Sequence, residues 1–287
     1  MKTLSIIIVS YNCKEYLLNC LDSIFSHPPK IAEFELIVVD NASSDGTVGA
    51  VRERYPQVKL VPNEENLGFA AGCNTGFEHS TGEYILLLNP DVVVNDTSFD
   101  PLIGFLNRTP KAGAVIGSMV DANGEPVPNV RIVPTVFDLL ISRKSFIAWL
   151  PSLGKIRDKR LAIPGEIAEI EAGGGGYFLV RSELYRRIGM MDTRFFLFVE
   201  DIDLSVRIRK AGYKIYYLPE ARIIHHWGGS TSKHMTRSIW HHHISLFKFF
   251  QKYRHLRFPI DVVWFSCTVS HFLLWFITNR LLRIARR

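Results

Sequence analysis

Apolar residues in this chain come in unbroken runs separated by segments of helical spacing, and the two patterns alternate. Residues 4–9, 36–39, 59–61, 84–88 and 114–118 are near-continuous apolar stretches rich in Ile, Val and Leu, as expected of strands buried on both faces. Between the first two, Leu17, Leu21 and Ile24 recur at i, i+4 and i+7, with Asn12 as the expected N-cap and Pro28-Pro29 as the stop. A second helix is expected from about Thr47, after the turn Ser43-Ser44-Asp45-Gly46, to just before Pro56. Strand alternating with helix predicts βαβ units and an α/β fold with a Rossmann-like, mostly parallel central sheet carrying helices on both faces. In such sheets ligands bind beyond the carboxyl ends of the strands.

Polar residues fall at those ends. Asp40 follows 37–39, Asn89-Pro90-Asp91 follows 85–88, and the aromatic run 195–199 leads into Glu200-Asp201-Ile202-Asp203. Carboxylates at the end of a buried strand suit a hard divalent cation, Mg2+ or Mn2+, which takes oxygen ligands and commonly shares them with a diphosphate. Asp91 is the leading ligand, with Asn89 offering a neutral carbonyl oxygen; the same three residues also suit a plain turn. The Glu200 cluster reads either as a solvated, acid-capped helix start or as acids at the lip of the core, where burial tunes a carboxylate toward general-base work. Gly173 to Gly176 reads as a turn or as backbone hugging a ligand. His225 and His226, adjacent on a predicted strand, point to opposite faces, so at most one faces a site. Neither a G-x-x-x-x-G-K-[ST] loop nor a G-x-G-x-x-G turn after the first strand is present, which argues against P-loop and dinucleotide-binding chemistry.

Composition adds one contrast. The 287 residues are 47% hydrophobic with a net charge of +6, which excludes a disordered, collagen-like or disulfide-stapled chain. Residues 221–287 carry 11 Lys/Arg against the single acid Asp261, a net +10, leaving −4 for residues 1–220. The four cysteines, Cys13, Cys20, Cys73 and Cys267, form no C-x-x-C pair, and a reducing compartment is expected. The apolar run at 4–9 is too short for a signal-peptide core.

The stretches at 5–12 (SIIIVSYN), 38–47 (VVDNASSDGT), 66–74 (NLGFAAGCN), 87–91 (LLNPD) and 200–207 (EDIDLSVR) resemble, in that order, the family 2 glycosyltransferases, and within them the rhamnosyltransferase-like branch. The resemblance covers roughly residues 4–232. It implies a GT-A fold and a metal-dependent, inverting transfer from a nucleotide-diphosphate sugar. It also implies a D-x-D metal motif, in which Asn89 stands for the first acid. By the same resemblance Asp201 is the base that deprotonates the acceptor hydroxyl. Asp40 contacts the nucleotide base, Ser10 and Tyr11 enclose base and ribose, and Asn66, Gly68, Asn74, Asn89 and Arg207 belong to the donor site. Gly175, Gly176 and Glu200 fall on the acceptor side, and His226 joins Asp91 at the metal.

The C-terminal region is expected to be separate, with a catalytic domain at 1–232 and a basic, aromatic helical region at 233–287. Over 236–257, Arg237, His241, Lys248 and Lys252 oppose Ile239, Leu246, Phe249, Phe250 and Tyr253, the pattern of an interfacial helix. Residues 262–279 are uncharged and are followed by four arginines; 18 residues is short for a span, so a helix lying on or dipping into the cytoplasmic leaflet of the inner membrane is expected. A lipid-linked saccharide acceptor follows from that placement. Nucleic acid is not expected, since the basic residues flank apolar segments rather than a solvated groove, and a homo-oligomer is left open. Two other functions share parts of the pattern: a sugar nucleotidyltransferase, and a non-catalytic nucleotide-sugar-binding scaffold.

Overall fold

The computed structural model describes residues 3–135, 162–226 and 235–254. In chain order the elements are β1 (Thr3–Ser10), α1 (Lys14–Ser26), β2 (Glu33–Asp40), α2 (Thr47–Arg54), β3 (Lys59–Pro62), α3 (Phe69–Glu78), β4 (Tyr84–Leu88), β5 (Val92–Val94), α4 (Asp100–Arg108) and β6 (Ala112–Val120). There follow β7 (Pro126–Val127), β8 (Val130–Arg131), β9 (Ala168–Ile170), β10 (Ala172–Gly173), β11 (Tyr177–Arg181), α5 (Ser182–Arg187), α6 (Glu200–Lys210), β12 (Lys214–His225) and α7 (Met235–Arg254).

The main sheet runs β3-β2-β1-β4-β11-β6-β12-β5, and β8 pairs with β10 in a small second sheet. Alternation along β1 builds two cores. Ile6 and Ile8 face α1, α2 and α4, where Leu17, Leu21, Val51 and Leu106 are buried, whereas Ile7 and Val9 face Phe77 of α3, Tyr185 of α5 and Leu204 of α6. Helices therefore cover both faces, as the unbroken apolar runs require. The sheet is parallel only from β3 to β4 and again between β6 and β12. Strand β11 inserts antiparallel to both β4 and β6, and β5 is antiparallel to β12, so the expected mostly parallel sheet is mixed. Residues 177–180 are buried on both faces whichever way the strand runs, and composition carries no sign of direction. Asn12 differs too: its φ of 50° places it in the left-handed region, Cys13 occupies the N-cap, and Asn12 Oδ1 accepts from the Ser44 N–H (2.8 Å).

Helix α7 packs on the α/β body. Phe249 is buried against Phe195 and Val199, with Leu246 and Tyr253 beside them. Ser245 Oγ donates to the Leu197 carbonyl (3.0 Å) and Lys248 Nζ to that of Arg194 (2.7 Å). Lys252 Nζ donates to Asp203 Oδ1 and, at 2.8 Å, to Asp192 Oδ2. Burial acts to raise the Asp192 carboxyl, but Arg194 and Lys252 together hold it well below the usual carboxylate range. Within the described helix, Leu246, Lys248, Phe249, Lys252 and Tyr253 of the expected interfacial pattern are turned to the protein itself. An amphipathic pattern records only that one face leaves water, and an apolar groove satisfies it as well as lipid does. The stretch 262–279 and the boundary at 232/233 lie outside the described residues, among which no helix is long and apolar enough to cross a membrane.

Asp203 is completely buried and accepts from Arg207 Nε (2.7 Å) and Tyr253 Oη (2.7 Å) as well as Lys252. Asp203→Ala strips the half-buried Arg207 of its carboxylate and leaves Lys252 with Asp192 alone. The expected cost is about 3–5 kcal/mol, read as a fall in Tm together with faster proteolysis within 235–254; an unchanged Tm would show that this network does not hold α7.

Candidate active site

Ser10 closes β1 beside Asp40 of β2, and Ile8 of β1 pairs with Leu88 of β4, so three strand ends share one rim of the sheet. That rim opens into a cavity of about 340 Å3. Ser10, Tyr11, Asn66, Gly68, Asn89 and Asp91 line it from the N-terminal half of the chain, and Gly175, Gly176, Glu200 and Asp201 from the C-terminal half.

Two glycines shape the walls. Gly68 has a φ of +85°, and a Cβ there would stand 2.4 Å from the Phe196 carbonyl oxygen; that same oxygen accepts from the Phe69 N–H (2.9 Å). Asn66 Oδ1 accepts from the Gly68 N–H (3.0 Å), which pins the turn. At Gly176 a Cβ would meet Asn89 Nδ2 at 2.6 Å, while Asn89 N–H donates to the Gly176 carbonyl (3.0 Å). Gly176 thus lets the chain's own backbone approach Asn89.

The acids sit at the entry to α6, and the backbone there is strained: Phe198 and Val199 have φ of 66° and 71°, a conformation that costs of order 1–3 kcal/mol for each such residue. This turn aims Glu200 and Asp201 into the cavity. Asp201 Oδ2 accepts from the Gly175 N–H (3.1 Å) and Oδ1 from the Ile202 N–H (2.7 Å). Glu200 Oε2 is buried with no partner. Burial, and then the charge of Asp201, push Glu200 well above the usual carboxylate range. Burial also raises Asp201, but the Arg131 charge and the two N–H donors oppose it. Both carboxyls are therefore raised, Glu200 the more strongly, so of the two neighbours Asp201 gives up its proton the more readily.

Asp91 is buried and its Oδ1 has no hydrogen-bond partner; His225 Nε2 lies 3.3 Å from that oxygen. An unsatisfied carboxylate oxygen beside an imidazole nitrogen fits a divalent cation that takes its remaining ligands from a diphosphate and water. His226 is on the other side: its N–H donates to the Asp91 carbonyl (2.8 Å) and its exposed ring lies 6.3 Å from that of Tyr16. Strand β12 pairs His225 with Val92, and that pairing turns His225, not His226, inward. Among the described residues no three His, Cys, Asp or Glu side chains converge as a complete metal site.

Three other expected residues stand away from the cavity wall. Asp40 is buried behind it, with Oδ2 accepting from the Ser43 N–H (2.8 Å) and Oδ1 without a partner; Asn41 lines the cavity in its place. Asn74 is spent on structure, accepting from Tyr185 Oη (2.9 Å) and the Met191 N–H (3.0 Å) and donating to the Met191 carbonyl (2.8 Å). Arg207 pairs with Asp203 and donates to the Ile188 carbonyl (2.8 Å). Conversely, Asn129, Arg131 and His241 line the cavity without having been expected there. The His241 ring is stacked on Phe196 with centroids 4.4 Å apart. Nothing in the local sequence around these three signals a site, since each arrives through long-range packing.

The profile of glycosyl transferase family 2 matches residues 5–162. An N-acetylglucosaminyl-diphospho-decaprenol L-rhamnosyltransferase of Mycobacterium tuberculosis is 31% identical over 229 residues, covering 75% of this chain and 73% of the relative. A poly-beta-1,6-N-acetyl-D-glucosamine synthase of Staphylococcus epidermidis is 27% identical over 222 residues, 76% of this chain but 48% of the relative. Among solved structures, a mannosyltransferase from Pyrobaculum calidifontis in complex with GDP-Man and Mn2+ superposes with a TM-score of 0.58 at 20% identity, covering 98% of this chain and 80% of that one. GalNAc-T7 with UDP, GalNAc and Mn2+ also gives 0.58, at 17% identity over 78% of this chain and 44% of its own. These likenesses show a GT-A-type fold.

The raised Glu200 carboxyl predicts a pH signature. The folded state holds the proton more tightly than the unfolded chain, whose glutamate titrates near about 4.3, so the folded protein loses stability as pH rises from there toward the folded pKa. Glu200→Gln carries no such penalty. Its Tm relative to wild type is expected to increase between about pH 5 and pH 8, and a pH-independent difference would refute the raised carboxyl.

Proposed function

The chain belongs to glycosyl transferase family 2, and from that membership we propose that it is an inverting glycosyltransferase. It moves a sugar, rhamnose in our reading, from a nucleotide-diphosphate donor to a hydroxyl of a lipid-linked saccharide during surface-polysaccharide synthesis. The observation that carries the reading is the Asp201 carboxyl, held by two backbone N–H donors inside a cavity whose wall also bears Asp91.

Asp201 accepts the proton of the acceptor hydroxyl as the hydroxyl oxygen bonds to the anomeric carbon, and the bond from that carbon to the diphosphate breaks with its electrons going to the nucleoside diphosphate. Glu200 keeps its proton and so does not compete as a second base. With one carboxylate acting as base and none as nucleophile, a single displacement inverts the anomeric centre. Asp91 and His225 would hold Mg2+ or Mn2+, which when bound supplies positive charge to the departing diphosphate. Ser10, Tyr11 and Asn41 form the wall for the nucleotide. The identity of donor and acceptor draws support from the rhamnosyltransferase relative. Location at the cytoplasmic face of the inner membrane draws support from the +10 charge of residues 221–287.

Release of nucleoside diphosphate on adding both donor and acceptor tests the activity, and separates it from binding alone and from nucleotidyl transfer, which releases pyrophosphate. Asp201→Asn should lower kcat by about 10²–10⁴-fold with donor affinity nearly unchanged; near-normal turnover would sink Asp201 as the base. Mn2+ binding in the presence of nucleoside diphosphate, read by electron paramagnetic resonance, should be lost in Asp91→Ala, weakened in His225→Ala and retained in His226→Ala. Loss in His226→Ala with retention in His225→Ala would reverse the ligand choice.

A further inference from the structure

One stretch of the cavity wall beside Asp201 enters the chemistry above only through the charge of Arg131. The ladder of β8 with β10 continues one residue past the strand, since the Asn129 carbonyl accepts from the Gly174 N–H (2.7 Å). Asn129 and Arg131 are therefore i and i+2 of one extended segment and share a face, and both line the cavity. Val130 between them packs against the core. The next glycine, Gly175, bonds Asp201 directly, so this wall and the base are joined through three consecutive residues of backbone.

The two side chains complement each other. Asn129 is only 2% exposed; its Nδ2 donates to the Gly117 carbonyl (2.6 Å), which fixes the amide orientation, and its Oδ1 is buried without a partner. A buried acceptor left unpaired is costly and calls for a donor that the described residues do not supply. A sugar hydroxyl is such a donor. Arg131 spends Nη1 on the Pro128 carbonyl (2.9 Å) and keeps the rest of its fork. Among the described residues it is the only Lys or Arg on a cavity wall that also carries Asp91, Glu200 and Asp201. A planar guanidinium in an otherwise acidic cavity matches the oxygens of a phosphate.

We propose that Asn129 and Arg131 form the acceptor subsite and that it takes a saccharide bearing a phosphate or diphosphate at its reducing end. Asn129 Oδ1 receives a hydroxyl of the sugar and Arg131 the phosphate, with the hydroxyl to be glycosylated directed at Asp201. Two residues of extended chain span about 7 Å, the scale of one pyranose ring with its anomeric phosphate. This deepens the transferase reading and rests on it. The donor's own diphosphate is the other source of the same chemistry, and it belongs with Asp91 and His225.

The test is equilibrium binding to the full chain with the donor end saturated by nucleoside diphosphate and Mn2+. The probes are N-acetylglucosaminyl-diphospho-farnesol and a farnesyl N-acetylglucosaminide lacking the diphosphate. Wild type should bind the first about tenfold or more tightly than the second, Arg131→Gln should abolish that preference, and Arg131→Lys should keep part of it. Asn129→Leu should weaken both probes alike. The subsite is overturned if Arg131→Gln retains the preference, if rising nucleoside diphosphate displaces the first probe, or if wild type shows no preference. Absence of nucleoside diphosphate release with any donor and acceptor would instead defeat the transferase reading, a separate measurement from this one.

Discussion

A carboxylate withdrawn from water must be met by donors or surrender its charge, and Asp203 is where this fold meets that demand. Its two oxygens take Arg207 from its own helix and Lys252 and Tyr253 from the C-terminal helix. Such a pairing adds little net stability over an apolar substitute, but it strongly penalises the loss of either side. It therefore works as a positional lock: α7 can seat in one register only, and α6 is held against it. Because Glu200 and Asp201 occupy the first turn of α6, the geometry of the reacting end depends on a contact on the far side of the same helix.

The same rule, applied two residues earlier, produces reactivity instead of rigidity. Glu200 is buried without donors for Oε2, whereas Asp201 has two N–H groups and the field of Arg131. One neighbour holds its proton strongly and the other gives it up more readily. Three acids within four residues thus divide into a lock, a proton holder and a base, and the division comes from which donors the tertiary structure brings to each. The left-handed backbone at Phe198 and Val199 is the strain that packing of α6 and α7 must offset to keep that arrangement.

Much of this was legible beforehand. The strands at β1, β2, β3, β4 and β6 could be read from continuous apolar runs and α1 from its spacing, because burial on both faces and on one stripe leave different periods in a sequence, while α2 was bounded by a turn and a proline. Asp40, Asn89 and Asp91 could be placed at strand ends because such ends in an open sheet lie together, whereas Ser10 and Asp201 came with the family resemblance. What could not be read were the properties set by pairing partners. The direction of β11, the choice of His225 over His226, and the arrival of Asn129 and Arg131 all depend on which strand lies beside which. Asn74 and Arg207 look like site residues in a motif, yet their side chains tie loop 188–191 to α3 and α6, a use that only long-range contact reveals.

The amphipathic helix at the C-terminus shows the same division at larger scale. Its pattern established that one face leaves water, and packing decided that this face meets Phe195 and Val199. By itself, the sequence determined the α/β class, the family, and the positions of the carboxylates, since these follow from periodicity and local motif. Tertiary structure alone decided strand direction, which imidazole turns inward and which of the acids holds its proton more tightly. Those outcomes depend on neighbours tens of residues or more apart in the chain, and no local pattern encodes the distance between them.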